Sequence, residues 1–230
     1  MTKSLIEKEY SSITKDSLDK INKVISTKCS EYYFLDFLRI TNGNVDDAIQ
    51  FFYLDEKLRT ILVQYLMRFE IQVKSDFAKM IEHETRSKQF WKVNKYYLPE
   101  ARAKRPGKRS NYYLTKKNIE SSIARMSFKT IGPLNYVAMY SISFGCFKTL
   151  FRYIDIQYKQ SFIDKYTSHL NSQTFNLLYS YFDCIRILRN RCAHGNHVIT
   201  LKFKNDLNNY RNIVSNQKSF TITRAIYECI

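Results

Sequence analysis

The sequence predicts an all-α fold, and three observations carry that prediction. Five glycines and three prolines in 230 residues leave few breakers, so helices can run long. Apolar residues recur at spacings of three and four through much of the chain, the period of one helix face. The 44% hydrophobic content lets a chain of this length bury a substantial core. The expectation is a single helical domain over residues 1–230, with a basic loop set into it.

The elements follow in order. After a polar lead-in, Leu18, Ile21, Val24 and Ile25 space as one face of a short helix. Residues 32–40 are dense in aromatic and aliphatic side chains, and Asn42-Gly43-Asn44 then breaks the chain. The next helix opens near Val45, with Asp46 and Asp47 where the helix dipole favours negative charge. Its pattern continues through Leu54, Leu58, Ile61, Tyr65, Phe69, Val73, Phe77 and Met80, long enough for the spine of a bundle. Glu70 lies inside this pattern. It can pair with a buried arginine such as Arg189 and orient it, or with Lys74 one turn on as an ordinary surface pair.

Pro133 is well placed to start a helix, and residues 137–151 are apolar enough to be core. Within them, Ser143-Phe144-Gly145 allows either a close helix contact or a bend. Phe162 and Tyr166 belong to a further short helix, and Asn171-Ser172 offers a start for the next. That helix buries Tyr181, Ile185, Leu188 and Cys192, and Gly195 suits the position just past its end, where a left-handed backbone is needed. Beyond Val198, residues 200–203 read as extended, 208–216 are polar, and the apolar run 220–230 reads equally as helix or strand.

Thirty-seven Lys and Arg against 21 Asp and Glu give a net charge of +16, a field that attracts nucleic acid or an anionic membrane surface. No apolar run approaches the roughly 20 residues that span a bilayer, and the N-terminus lacks a signal-peptide pattern. The expectation is therefore a cytoplasmic protein whose polyanionic partner is nucleic acid, with no membrane partner.

Most of the charge sits in residues 86–129, where Glu100 and Glu120 are the only acids. Trp91, Tyr96, Tyr97, Tyr112 and Tyr113 interleave with the basic residues, as phosphate contact combined with base stacking would require. Pro99 and Pro106-Gly107 make residues 99–110 a loop between helical arms. The candidate RNA-contacting side chains are Lys104, Arg105, Lys108, Arg109, Tyr112, Tyr113, Lys116 and Lys117; a solvated charge run is the competing reading. The five cysteines are odd in number, scattered and mostly set in apolar runs, which suits reduced, buried small hydrophobes. Cys192, His194 and His197 lack a second cysteine pair at ligand spacing, so no metal site and no cofactor are expected.

The densest chemistry lies in Leu188-Arg189-Asn190-Arg191-Cys192-Ala193-His194-Gly195. An imidazole takes or gives a proton near neutral pH, and a guanidinium offers a planar fork of donors to phosphate oxygens. Together they can cleave RNA without a metal. His194 would serve the 2′-hydroxyl or the leaving oxygen, Arg189 would steady charge on the phosphorus, and Asn190 would position Arg189 or the substrate. The plain alternative is that His194 caps helix carbonyls and Arg189 is a solvated cation.

Arg189-Asn190-x3-His194 resembles the Arg-polar-x3-His signature of HEPN ribonucleases, and its flanks look like the AbiD/AbiF-type, Abi-like abortive-infection family. The segment Leu188 to His194 is close to that family's Arg-Asn-x-Cys-Ala-His piece. Ser141-Ile142-Ser143-Phe144-Gly145 resembles its Leu-Ser-Phe-Gly helix. Tyr53-Leu54-Asp55-Glu56-Lys57-Leu58-Arg59 and Arg68-Phe69-Glu70-Ile71 resemble its Phe-Asp-x-x-Leu-Arg and Arg-Ile-Glu pieces. The four pieces keep the family's order from about residue 32 to 198, while the start and the tail after Val198 do not align. The resemblance implies a HEPN-like helical bundle and a homodimer with two motifs at one cleft. It also implies a metal-independent endoribonuclease toxin of an abortive-infection or toxin–antitoxin system, with Arg189, Asn190 and His194 in the site and Glu70 behind Arg189. An RNA or protein antitoxin would be a further partner. Two other readings stand beside it: a non-catalytic module that holds a structured small RNA, and a protein-interaction subunit.

Overall fold

The computed structural model describes residues 4–103, 109–126, 134–167, 174–199 and 201. These residues form ten α-helices and three short 3-10 turns, with one isolated antiparallel bridge between Tyr97 and Ile154 in place of any sheet. The fold is all-α, as composition and periodicity predict. Two compact units are built from Met1–Leu62 with Cys192–Leu201, and from Val63–Arg191.

The first unit opens with α1 (Leu5–Glu9), whose Ser4 and Glu7 form a reciprocal capping box. Helices α2 (Lys15–Lys28) and α3 (Glu31–Ile40) start at Thr14 and Ser30, each hydroxyl accepting a backbone N–H of the first turn. Asn42 and Gly43 take positive φ, 50° and 84°, and Gly43 N–H closes on Leu38 O at 2.8 Å. This turn ends α3 where the sequence predicts a break and delivers the chain to α4 (Val45–Thr85). Ile21, Phe34, Phe37, Leu38, Ala48 and Phe52 form the core of this unit.

The inward face of α4 here is Val45, Ala48, Phe52 and Asp55, at spacings of three, four and three. Leu54 and Ile61, expected in the buried stripe, are instead exposed. Apolar spacing misses this register because its fourth member is a carboxylate, a residue rarely buried unless it is paired.

The second unit contains the rest of α4, then 3-10 turns at Phe90–Lys92 and Asn94–Tyr96. Helices α5 (Pro99–Arg102), α6 (Asn111–Ala124), α7 (Leu134–Ser141) and α8 (Phe144–Tyr153) follow. The last elements are the turn Ile156–Tyr158, α9 (Gln160–Thr167) and α10 (Thr174–Ala193). Phe77 is the hub, with the rings of Phe90, Phe147, Phe151 and Phe162 within 5.4–6.0 Å of its own. Truncating such a residue to alanine typically costs about 3–5 kcal/mol.

Ser143 caps α8, so the Ser-Phe-Gly stretch marks a helix break. A Cβ on Gly145 would meet Arg186 Cδ at 3.5 Å, so close contact with α10 occurs there too. Phe182 docks α10 against Phe144, Phe147, Phe151 and Phe162. The deepest residues of α10 are thus Leu178 and Phe182, while Tyr181 and Ile185 of the expected stripe are only half-buried.

Trp91, Tyr96 and Tyr97, read from sequence as candidates for base stacking, are buried in the core of this unit. Two successive 3-10 turns rotate them inward with a period that a helical reading of the basic run does not follow. The expected helix start at Asn171-Ser172, Pro133, and the tail beyond Leu201 lie outside the described residues.

Candidate active site

In the second unit, Arg189 and Asn190 sit on the last two turns of α10. The Arg189 side chain is about one-third exposed, with 32% of its surface open. Its Nη1 donates to Asn190 Oδ1 at 3.3 Å. Its Nε faces Glu70 Oε2 at 3.4 Å, an ion-pair contact without hydrogen-bond alignment, and both atoms are buried.

Glu70 and Lys74 are themselves buried. Glu70 Oε1 accepts from Lys74 Nζ at 2.6 Å, and Lys74 Nζ also donates to Ile142 O at 2.5 Å, at the break between α7 and α8. The two sequence alternatives for Glu70 therefore hold together: it pairs with Lys74 at i,i+4 and with Arg189, and neither contact is a surface one. Burial pushes the Lys74 ammonium below its ordinary value, Glu70 pulls it back, and the positive charge of Arg189 lowers it further. One carboxylate thus serves two cations, leaving a net positive pocket whenever Lys74 is protonated. The cluster lines a cleft of ≈ 160 Å³ with Met67, Ile71, Ser75, Tyr136, Met139 and Tyr140.

In the first unit, His194 follows the end of α10 and is exposed. Gly195 takes φ +70°, the left-handed conformation that the sequence assigns to it. The backbone is then fixed by Asp55, which is fully buried. Asp55 Oδ1 accepts the N–H groups of Val198 and Ile199, each at 2.8 Å. Its Oδ2 accepts from Arg59 Nε at 2.9 Å and from the Tyr33 hydroxyl at 3.3 Å. His197 stacks on Tyr33 at 3.9 Å and pairs with Asp36 at 3.2 Å. Burial lowers His197 below the usual imidazole value, with Asp36 and Asp55 opposing that shift. His197 is thus built into the packing of the turn, whereas His194 stands open to solvent.

Sequence alone does not mark Asp55 and Arg59 as site residues, although both lie in the family-like Asp-x-x-Leu-Arg piece. The available signal was the polar residue at the 45–48–52–55 register of α4. For Lys74, spacing alone suggests only a surface partner of Glu70.

Of the candidate RNA-contacting residues, Lys104, Arg105 and Lys108 lie outside the described residues. The Arg109 guanidinium lies over the exposed ring of Tyr113 at 4.6 Å. Tyr112 is half-buried against Tyr97, and its hydroxyl donates to Lys92 O at 2.7 Å. On α6, Lys117 is exposed and Lys116 half-exposed.

The family model described as Abi-like protein matches residues 19–200. The chain belongs to the Abi-like family. The match spans α2 to the end of α10, and so includes Asp55, Glu70 and the Arg189–His194 stretch. No curated protein and no solved structure matches the chain. Among the described residues of this Abi-like protein, no helix is long and apolar enough to cross a membrane.

Proposed function

We propose that this Abi-like protein is a metal-independent endoribonuclease that acts as the toxin of an abortive-infection or toxin–antitoxin system. The observation that carries the reading is Arg189. It is tethered at Nε by buried Glu70 and at Nη1 by Asn190, with donors left over, five residues before an exposed histidine. A cation held in this way is suited to a phosphate oxygen.

In the reaction, a 2′-hydroxyl loses its proton to an imidazole, its oxygen bonds to phosphorus, and the phosphorus–O5′ bond breaks. The leaving oxygen takes a proton, giving a 2′,3′-cyclic phosphate and a 5′-hydroxyl. Arg189 balances the charge that builds on the phosphoryl oxygens. One imidazole cannot be base and acid at the same instant, and the motif supplies one histidine. A homodimer with two motifs at one cleft supplies both, which favours a two-fold assembly. The +16 charge brings the RNA, and residues 86–129, including Arg109, Tyr113, Lys116 and Lys117, help to hold it.

The test is incubation of the purified protein with end-labelled RNA in a chelator. Cleavage that persists and leaves 2′,3′-cyclic phosphate ends supports the reading. Tight binding without cleavage would leave an RNA-holding module in its place.

A further inference from the structure

Beside Arg189, the cleft of the second unit has a wall that the proposed chemistry does not use. Helix α7 buries Asn135, Val137, Ala138 and Met139 but leaves Tyr136 39% and Tyr140 57% exposed. Their rings lie one helical turn apart, nearly parallel, with centroids 6.3 Å apart and planes at 15°. Among the described residues neither phenolic hydroxyl makes a hydrogen bond, whereas Tyr33, Tyr96, Tyr97, Tyr112 and Tyr166 all donate theirs. Met67 and Ile71 of α4, also exposed, complete an apolar side to the cleft. Ser75, Lys74, Glu70 and Arg189 line the same cleft.

A nucleotide carries partners for both kinds of lining: a flat base for the rings and an anion for the cation. The cleft volume of ≈ 160 Å³ suits a single ring system, since a cavity of about 150 Å³ holds benzene. Among the described residues, Arg189 makes one hydrogen bond, through Nη1, and its Nε faces Glu70, which leaves Nη2 and part of Nη1 for an anion. The chain's +16 charge selects a polyanion over an apolar peptide or an acidic small molecule.

We propose that Tyr136 and Tyr140 form a base-binding subsite that stacks one unpaired base of an RNA strand while Arg189 takes the adjoining phosphate. The assignment of Arg189 to a phosphate rests on the function proposed above; the stacking wall does not. A base offers its face only when unpaired, so the subsite selects single strands or loops over continuous duplex.

The experiment measures the affinity of the full-length protein for a labelled single-stranded RNA oligonucleotide and for the same sequence annealed as a duplex. All proteins carry His194→Ala, so that nothing is cut. The double variant Tyr136→Ala, Tyr140→Ala should bind the single strand about tenfold more weakly or worse, the range for removing a stacking ring. Its duplex affinity and its salt dependence should hold, because stacking releases no counterions. Tyr136→Phe with Tyr140→Phe keeps the rings and should bind as the parent does; it also separates lost stacking from lost folding.

Unchanged affinity in the alanine variant, or an equal loss on duplex, overturns the proposal. So does an equal loss in the phenylalanine variant. Light scattering that shows the alanine variant broken into monomers would assign the wall to contact between copies and overturn it as well. Because binding alone is read, selective single-strand loss would keep the subsite even if the protein with His194 intact never cut RNA, a result that would defeat the nuclease reading alone. Cleavage that depends on His194, with no effect of the tyrosines, would do the reverse.

Discussion

Replacing Asp55 should loosen the turn that carries His194 and destabilise the protein together. The carboxylate is fully buried and accepts from four donors: the Val198 and Ile199 N–H groups, Arg59 Nε and the Tyr33 hydroxyl. Asp55→Ala strands all four. A buried donor left without a partner costs roughly 1–3 kcal/mol, and breaking a buried ion pair costs roughly 3–5 kcal/mol. The backbone groups can partly recover water, and Arg59 is not fully enclosed, with 17% of its side chain open. The expected loss is therefore about 3–5 kcal/mol and not the sum of the parts.

For a chain of this size, each kcal/mol lowers Tm by roughly 2–4 °C, so the shift should be roughly 6–20 °C. Asp55→Asn keeps an oxygen for Val198 and Ile199 but turns an NH₂ toward Arg59 and Tyr33. Its cost should be smaller, roughly 2–3 kcal/mol. Thermal and urea unfolding read both variants. RNA cleavage assayed below the lowered Tm should still fall, because the Val198–Ile199 anchor lies a few residues after His194. A loss under about 1 kcal/mol in Asp55→Ala, or alanine and asparagine in the opposite order, would refute the four-donor account.

Three further outcomes follow from the same structure. Glu70→Gln retains an acceptor for Lys74 but removes the charge facing Arg189, so kcat should drop roughly tenfold with KM nearly unchanged; a KM effect alone would make Glu70 a binding residue only. Lys159 is buried, donates to Phe151 O and Arg152 O at 2.7 and 3.2 Å, and is pulled by burial from 10.5 to about 7, with Asp155 and Glu100 opposing. In the window between those two values the unfolded chain holds a proton that the folded one lacks, so this group makes stability rise with pH there, and Lys159→Met should flatten the rise; an unchanged slope in urea titrations across that window would mean Lys159 stays charged. Replacing Lys104, Arg105, Lys108 and Arg109 together with glutamine should reduce the dependence of RNA affinity on salt, because fewer phosphates are neutralised, and an unchanged slope would place the phosphate contacts elsewhere.

Much of this was legible in the chain because its signals are local. The Asn42-Gly43 turn and Gly195 at φ +70° each depend on a few neighbouring residues, and the structure has them where the sequence expects. The register of α4 was not legible in its first half. Leu54 looks like core and Asp55 like surface, and only its donors, three of them distant in sequence, reverse that order. The aromatics between residues 86 and 129 divide for a similar reason. Trp91, Tyr96 and Tyr97 turn inward on 3-10 geometry, while Tyr113 stays out under Arg109, and composition alone treats them alike. Glu70 shows the limit of choosing between pairings from spacing, since two oxygens allow two partners.

Whether Arg189 and His194 cut RNA is read by the single-turnover cleavage rate of the His194→Ala protein on an end-labelled RNA. His194 is exposed and outside the packed core, so the variant should fold and bind RNA like the parent while its rate falls by ~10²-fold or more, the contribution of a lost acid–base group. A rate within a few-fold of the parent, in a folded protein that binds RNA normally, would contradict the account.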